Sequence, residues 1–339
     1  MGCPQSPELL ENTEEPLKHS KQIIKLEEIM ESEDLDNDYV YSLIEIQDKR
    51  IATGGGDGNI TISSYDVDEK KWEKDISKEK VHDGCVTSLS TLNNNKLLSG
   101  GGNNKPLIKV WAVSKFELTL IKEINEHTAL ISKVIPLSKE RFASGSSDYT
   151  VKIWKDNNTY DCISTLQHDG NVDSILQLKG KEVLVSAVSS YINTESDETI
   201  NNIFFWKTNE YTHQHTMKGD NIRFGTYMIE LPDGNIALSS DVHYPIVIID
   251  TSTYQVKKEI DRENYFPSAM SVLDQHSFIF VCKGMLCQIS NDDYSILFRS
   301  TDGNFYGWLG VIIIDRGKYI IIENRKRLTI FKPHYKLLY

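Results

Sequence analysis

Several things are scarce in this 339-residue sequence, and each scarcity excludes something. No stretch approaches the roughly 18 consecutive apolar residues of a membrane-spanning helix, so no integral membrane segment is expected. The N-terminus lacks the basic-then-apolar order of a secretory signal. The five cysteines, Cys3, Cys85, Cys162, Cys282 and Cys287, are odd in number and scattered, which argues against a disulfide framework. A cytoplasmic or nuclear location follows as the expectation. Positive charge is nowhere concentrated except at Arg325-Lys326-Arg327, read as a charged strand edge, so nucleic acid is not an expected partner. The net charge of −12 is uneven: residues 1–38 hold eleven acids against Lys18, Lys21 and Lys25, leaving the remainder close to neutral. Residues 1–20 are therefore expected to form a disordered acidic leader to a folded unit over 21–339.

What is present is a repeat of roughly 45 residues. Its clearest copy opens at His127 and continues through the apolar run Ile131 to Ile135 and a second strand, Arg141-Phe142-Ala143-Ser144-Gly145-Ser146. A turn at Ser147-Asp148-Tyr149 leads to Thr150-Val151-Lys152-Ile153-Trp154, and after a polar break Tyr160 to Leu166 makes a fourth strand. Neighbouring copies open at His82, with Ser99 and Trp111, and at His168, with Ser186 and Trp206. The first copy has Gly54-Gly55-Gly56-Asp57-Gly58 and Ile60-Thr61-Ile62, with Ser63 where the others have Trp. Beyond residue 215 only the rhythm of apolar runs survives, at 238–249, 278–289 and 319–331.

The His, the Ala143-Ser144-Gly145-Ser146 strand, Asp148 and the Val151-Lys152-Ile153-Trp154 strand closely resemble the signature of WD-repeat proteins. The resemblance covers residues 39–339, well in copies two to four and weakly later. It implies an all-β, seven-bladed β-propeller of four-stranded antiparallel blades. It also implies that His127, Ser144, Asp148 and Trp154 form a structural hydrogen-bond network, not a catalytic set. Recurrence in other blades supports that reading, since an active site occurs once. The last copy runs out before its fourth strand, and an open ring would expose strand edges. Residues Gln22 to Ile29 can supply the missing strand and are read as doing so, although Ile23, Leu26 and Met30 also have the spacing of a short amphipathic helix.

Other chemistry finds little support. The glycine stretches at 54–59 and 100–105 lead into strands, so they read as hairpin turns and not as phosphate loops. His276, Cys282 and Cys287 lack a fourth ligand, and His213 and His215 read as a surface pair, so neither a metal nor any other cofactor is expected. Met1-Gly2-Cys3-Pro4-Gln5-Ser6 fits the acylation template at Gly2, with Cys3 available for a second chain, but Pro7 is unfavourable for it. Ser190–Asn202 reads as a polar insertion between the second and third strands of blade four.

The expected function is that of a non-catalytic scaffold or adaptor, monomeric by itself, that binds other proteins on one face of the disc. The alternative is a propeller enzyme of hydrolase type with its site in the central channel. In WD-repeat proteins partners commonly meet the residues at the start of each blade's first strand. Those positions are Tyr39, Cys85, Leu130, Asn171 and Phe224 or Gly225, with Arg223 beside them, then Phe266 and Tyr306 to Trp308. Exposed Tyr, Trp, Phe and Arg are the side chains that dominate interface energetics.

Overall fold

A computed structural model describes residues 21–33, 39–92, 95–191, 199–219, 227–239, 246–260, 267–282, 285–300, 310–324 and 327–337. These residues form seven four-stranded antiparallel sheets arranged as the blades of a propeller. Blade 1 comprises Val40–Ile46, Arg50–Gly55, Ile60–Asp66 and Lys71–Lys78, and blade 2 Val86–Leu92, Lys96–Gly101, Leu107–Val113 and Leu118–Ile124. Blade 3 comprises Ile131–Leu137, Arg141–Ser146, Thr150–Lys155 and Cys162–Gln167, and blade 4 Asn171–Gln177, Val183–Tyr191, Thr199–Lys207 and Thr212–Gly219. Blade 5 runs from Met228–Glu230 to Gln255–Ile260, and blade 6 from Pro267–Val272 to Ile296–Arg299. In blade 7, Val311–Ile314, Tyr319–Asn324 and Arg327–Leu337 are joined by Lys21–Glu31.

The strand types follow from how each sheet is covered. Ile246, Val247, Ile248 and Ile249 are all buried, because a middle strand meets a neighbouring blade on both faces and has no solvent side to alternate with. The outermost strand of the same blade, Gln255–Ile260, buries only its last residue and leaves its three charged residues exposed. Seven apolar clusters lie between consecutive sheets, and seven sheets need that many only if the ring is closed. The cluster across the junction of blades 7 and 1 joins Met30, Ile321 and Ile330 to Ile51 and Tyr65.

The N-terminal segment is a strand and not the amphipathic helix its spacing also permitted. It pairs antiparallel with the last strand from Lys21 opposite Leu337 to Glu31 opposite Thr329. Ile23 and Met30 turn into the core, while Ile24 is 57% exposed. Ser32 extends the junction, its hydroxyl accepting from the Leu328 amide at 2.9 Å. A buried glutamine of blade 6 fastens the other end: Gln288 Oε1 accepts from the Ile23 amide at 2.7 Å, and its Nε2 donates to the Lys21 carbonyl at 2.5 Å.

Two boundaries differ from expectation. The fourth strand of blade 3 begins at Cys162, because Tyr160 sits in the left-handed region (φ 57°) and turns its ring onto Phe142 in the core. The ends of the insertion in blade 4 continue the flanking strands as an extended hairpin, with Val188 opposite Asn202 and Tyr191 opposite Thr199; residues 192–198 lie outside the described residues.

Close approach between blades explains one recurrent small residue. At Gly54, Gly100 and Gly145 a Cβ would fall 2.6–2.8 Å from the next blade's Val86, Ile131 or Val172. The matching position in blade 7 holds Glu323, buried at 0% exposure beside Gly310 and close to Leu43 of blade 1. No side chain among the described residues bonds its carboxyl oxygens, and burial pushes its pKa up to about 9 against the opposing pull of the Gly310 backbone amide.

Candidate functional site

Blade 3 carries the most polar interior. Its second and third strands set Phe142 opposite Trp154 and Ser144 opposite Lys152, and the turn between them brings Asp148 back over the sheet end. Trp154 Nε1–H donates to Ser144 Oγ at 2.9 Å, so the serine hydroxyl proton is free to face His127 Nε2 at 2.7 Å. On the other side of the ring His127 Nδ1–H donates to Asp148 Oδ2 at 2.7 Å. The Thr128 amide at 3.1 Å and the Thr150 hydroxyl at 2.6 Å also donate to this carboxylate. Burial by itself would raise the Asp148 pKa, but the bonds from His127 and Thr150 outweigh it and hold the carboxyl well below its usual range. Ser144 and Trp154 are fully buried and His127 is 4% exposed. No substrate reaches this serine, and its oxygen already has two partners.

The same tie recurs. In blade 2, Trp111 Nε1–H donates to Ser99 Oγ at 2.9 Å and Ser99 meets His82 Nε2 at 2.8 Å. In blade 4, Trp206 donates to Ser186 at 3.0 Å and Ser186 meets His168 Nε2 at 2.8 Å. Burial, with the Lys109 ammonium adding to it, pushes the His82 imidazole down to about 4. Burial does the same at His168, also to about 4. Both rings are therefore neutral at pH 7. The three ties differ on the far side of the ring. His168 Nδ1–H donates to the Leu166 carbonyl at 3.1 Å, whereas His82 Nδ1 is buried with no hydrogen-bond partner among the described residues.

The positions expected at the start of each blade's first strand are structurally equivalent where they are described. The carbonyls of Tyr39, Cys85 and Leu130 accept from the Gly56, Gly102 and Ser147 amides, at 2.8, 3.1 and 2.9 Å. Tyr39 is 45% exposed, and Leu130 and Asn171 are half-buried. Arg223, Phe224, Phe266, Tyr306 and Trp308 lie outside the described residues, as do Gly2 and Cys3. The same rim carries Tyr149, 50% exposed on the Asp148 turn, and Tyr41 is 42% exposed on the first strand of blade 1; neither was singled out as a contact residue from sequence. An aromatic residue at φ 68°, where glycine or asparagine is usual, is the local signal at Tyr149.

No group of three His, Cys, Asp or Glu side chains suited to a metal occurs among the described residues, and the side chain of Cys282 lies outside them. His213 and His215 pack instead against Trp206 and Tyr254, with centroid separations of 5.5 and 4.3 Å. No helix among the described residues is long and apolar enough to cross a membrane.

Fold and tie together define a seven-bladed β-propeller with a His–Ser–Trp network in successive blades. Residues 118–155 match the family model described as "WD domain, G-beta repeat". The match runs from the outer strand of blade 2 to the third strand of blade 3. Over nearly its whole length the chain is similar to the WD40 beta propeller domain of Doa1. That crystal structure is 19% identical, with a TM-score of 0.69 over 93% of this chain and 98% of that one. No curated protein matches the sequence. Repeat and ring together give the chain the WD40 propeller fold, with the family's repeat matched over residues 118–155.

Proposed function

We propose that the chain is a non-catalytic scaffold or adaptor of the cytoplasm or nucleus. It grips a protein partner on the rim formed by the starts of the first strands, with Tyr39, Leu130, Asn171, Arg223, Phe224, Phe266, Tyr306 and Trp308 as its contacts. One observation carries the reading. In the Ser144–His127–Asp148 arrangement, which resembles a nucleophilic triad by composition, Ser144 and His127 are buried and the serine is tied to Trp154. Counterparts of its Ser–His bond in blades 2 and 4 support reading it as a repeated structural element. Exposed Tyr39 and Tyr149 support the choice of rim, since aromatic side chains supply much of the binding energy at interfaces. The test is capture of partners with the tagged chain, identification, and reconstitution of the purified pair. Tyr39→Ala, Phe224→Ala and Trp308→Ala should each weaken binding by about 2 kcal/mol or more while the melting temperature stays within a few degrees. Binding that survives all three moves the site to another face.

A further inference from the structure

Blade 2 lacks the carboxylate that completes the tie in blade 3. The residue four after Ser99 is Asn103, where the residue four after Ser144 is Asp148. The turn around Asn103 joins Gly101 to Leu107, longer by two residues than the turn from Ser146 to Thr150, and it contains no acid. Asn103 does not substitute for the aspartate. Its side chain lies against Gly84, whose Cβ would fall 2.6 Å from Asn103 Nδ2, and Asn103 Oδ1 accepts from Cys85 Sγ at 3.7 Å.

The orphaned atom is a donor. Ser99 Oγ accepts from Trp111, and in the tautomer that His127 adopts, with the serine proton on Nε2, the neutral ring carries its hydrogen on Nδ1. That N–H is buried and unpartnered, a state that natural structures rarely leave without a purpose. In blade 3 the Asp148 carboxylate is held by His127, Thr128 and Thr150. The matching residues of blade 2 are His82, Asp83 and Leu107, and all three line one cavity of about 540 Å³. The cavity therefore opens beside the place that Asp148 holds in blade 3. Lys80, Lys105 and Lys109 also line it. Lys109 pairs with Glu123 at 2.7 Å, and the Asp57 carboxylate caps its own turn through the Asn59 amide at 3.0 Å. Among the described residues Lys80 and Lys105 form no ion pair.

We propose that this cavity, between blades 1 and 2, receives an aspartate or glutamate side chain of a protein partner, which accepts the His82 Nδ1–H bond that Asp148 accepts in blade 3. Lys80 and Lys105 draw the carboxylate in. The scaffold reading supplies only the source of the carboxylate, and the test below reads the cavity itself, so the two can fail separately.

The probe is an acetylated, amidated peptide with one aspartate among alanines, and its control carries asparagine instead. Histidine ring ¹H–¹⁵N resonances of the full chain are followed during titration. The His82 Nδ1 signal should shift and saturate with the aspartate peptide, while His127, already held by Asp148, should stay in place. The asparagine peptide should bind at least tenfold more weakly. Lys105→Glu, a surface change that leaves the buried tie intact, should weaken the aspartate peptide at least tenfold with an unchanged melting temperature. A His82 signal that never moves, equal binding of the two peptides, or undiminished binding by Lys105→Glu would each overturn the proposal.

Discussion

Asp148 and Glu323 are both buried carboxyls, and their surroundings drive them in opposite directions. Asp148 accepts from a ring N–H, a hydroxyl and backbone amides, so the charged form is favoured. Its contribution to stability is complete above the ordinary aspartate pKa near 4 and is lost as the pH falls below it. Asp148→Ala strands His127 as His82 is already stranded, and should cost about 2–5 kcal/mol. Asp292→Ala, on an exposed turn, should cost under about 0.5 kcal/mol. Equal urea midpoints for the two variants would remove the structural role. At Glu323 burial outweighs the one opposing influence, the Gly310 backbone amide, and raises the carboxyl to about 9. Tyr227, itself raised to about 12 by burial and then by Glu323, is the titratable group that senses it. The unfolded chain releases this proton above about 4.5 and the folded chain only near 9. Stability should therefore fall as pH rises between them, by up to about 1.4 kcal/mol per pH unit. Glu323→Gln should match the wild type near pH 5 and exceed it near pH 8 in denaturant midpoint; a constant difference would mean the carboxyl is already ionised. Neither behaviour of these acids was read from sequence, although an acid directly after Ile320-Ile321-Ile322, at a position held by glycine in three other blades, is a visible anomaly.

The closing strand shows what an element contributes beyond its own contacts. Ile23 and Met30 bury apolar surface, but the larger consequence of Lys21–Glu31 is that Arg327–Leu337 has no open edge. Removing residues 1–32 should bare that edge and produce aggregation on mild heating. Removing 1–18, which spares every described residue, should leave the melting temperature nearly unchanged. Light scattering and melting curves compare the two, and identical behaviour would detach the N-terminal segment from the ring. That a strand was needed here followed from counting strands in the last repeat. That this strand is pinned by Gln288 did not, since nothing in a local pattern joins residue 23 to a glutamine 265 positions away. Blade 4 gives the reverse case: polarity at 190–202 read as a loop, and cross-strand pairing carries both of its ends, 190–191 and 199–202, into the flanking strands.

In the whole molecule, each blade is half of two cores, so damage at any junction should be felt equally. Ile321→Ala, at the junction of blades 7 and 1, should cost about 2–5 kcal/mol, the same as Ile153→Ala between blades 3 and 4. A near-neutral Ile321→Ala would mean that the ring is open. The sequence by itself determined the repeat, the number of blades, the turns and the internal tie, because these depend on residues within about 30 positions of one another. The network of His127, Ser144, Asp148 and Trp154 is what their resemblance to the WD-repeat signature implies. The tertiary structure decided where that network is incomplete and what the gap faces. Asn103 can be seen to differ from Asp148 in a line of letters. Only packing shows that His82 Nδ1 is buried without a partner and that its neighbours surround a cavity. The physical reason is that satisfaction of a buried polar group depends on every chain segment around it, and in a ring those segments come from adjacent blades.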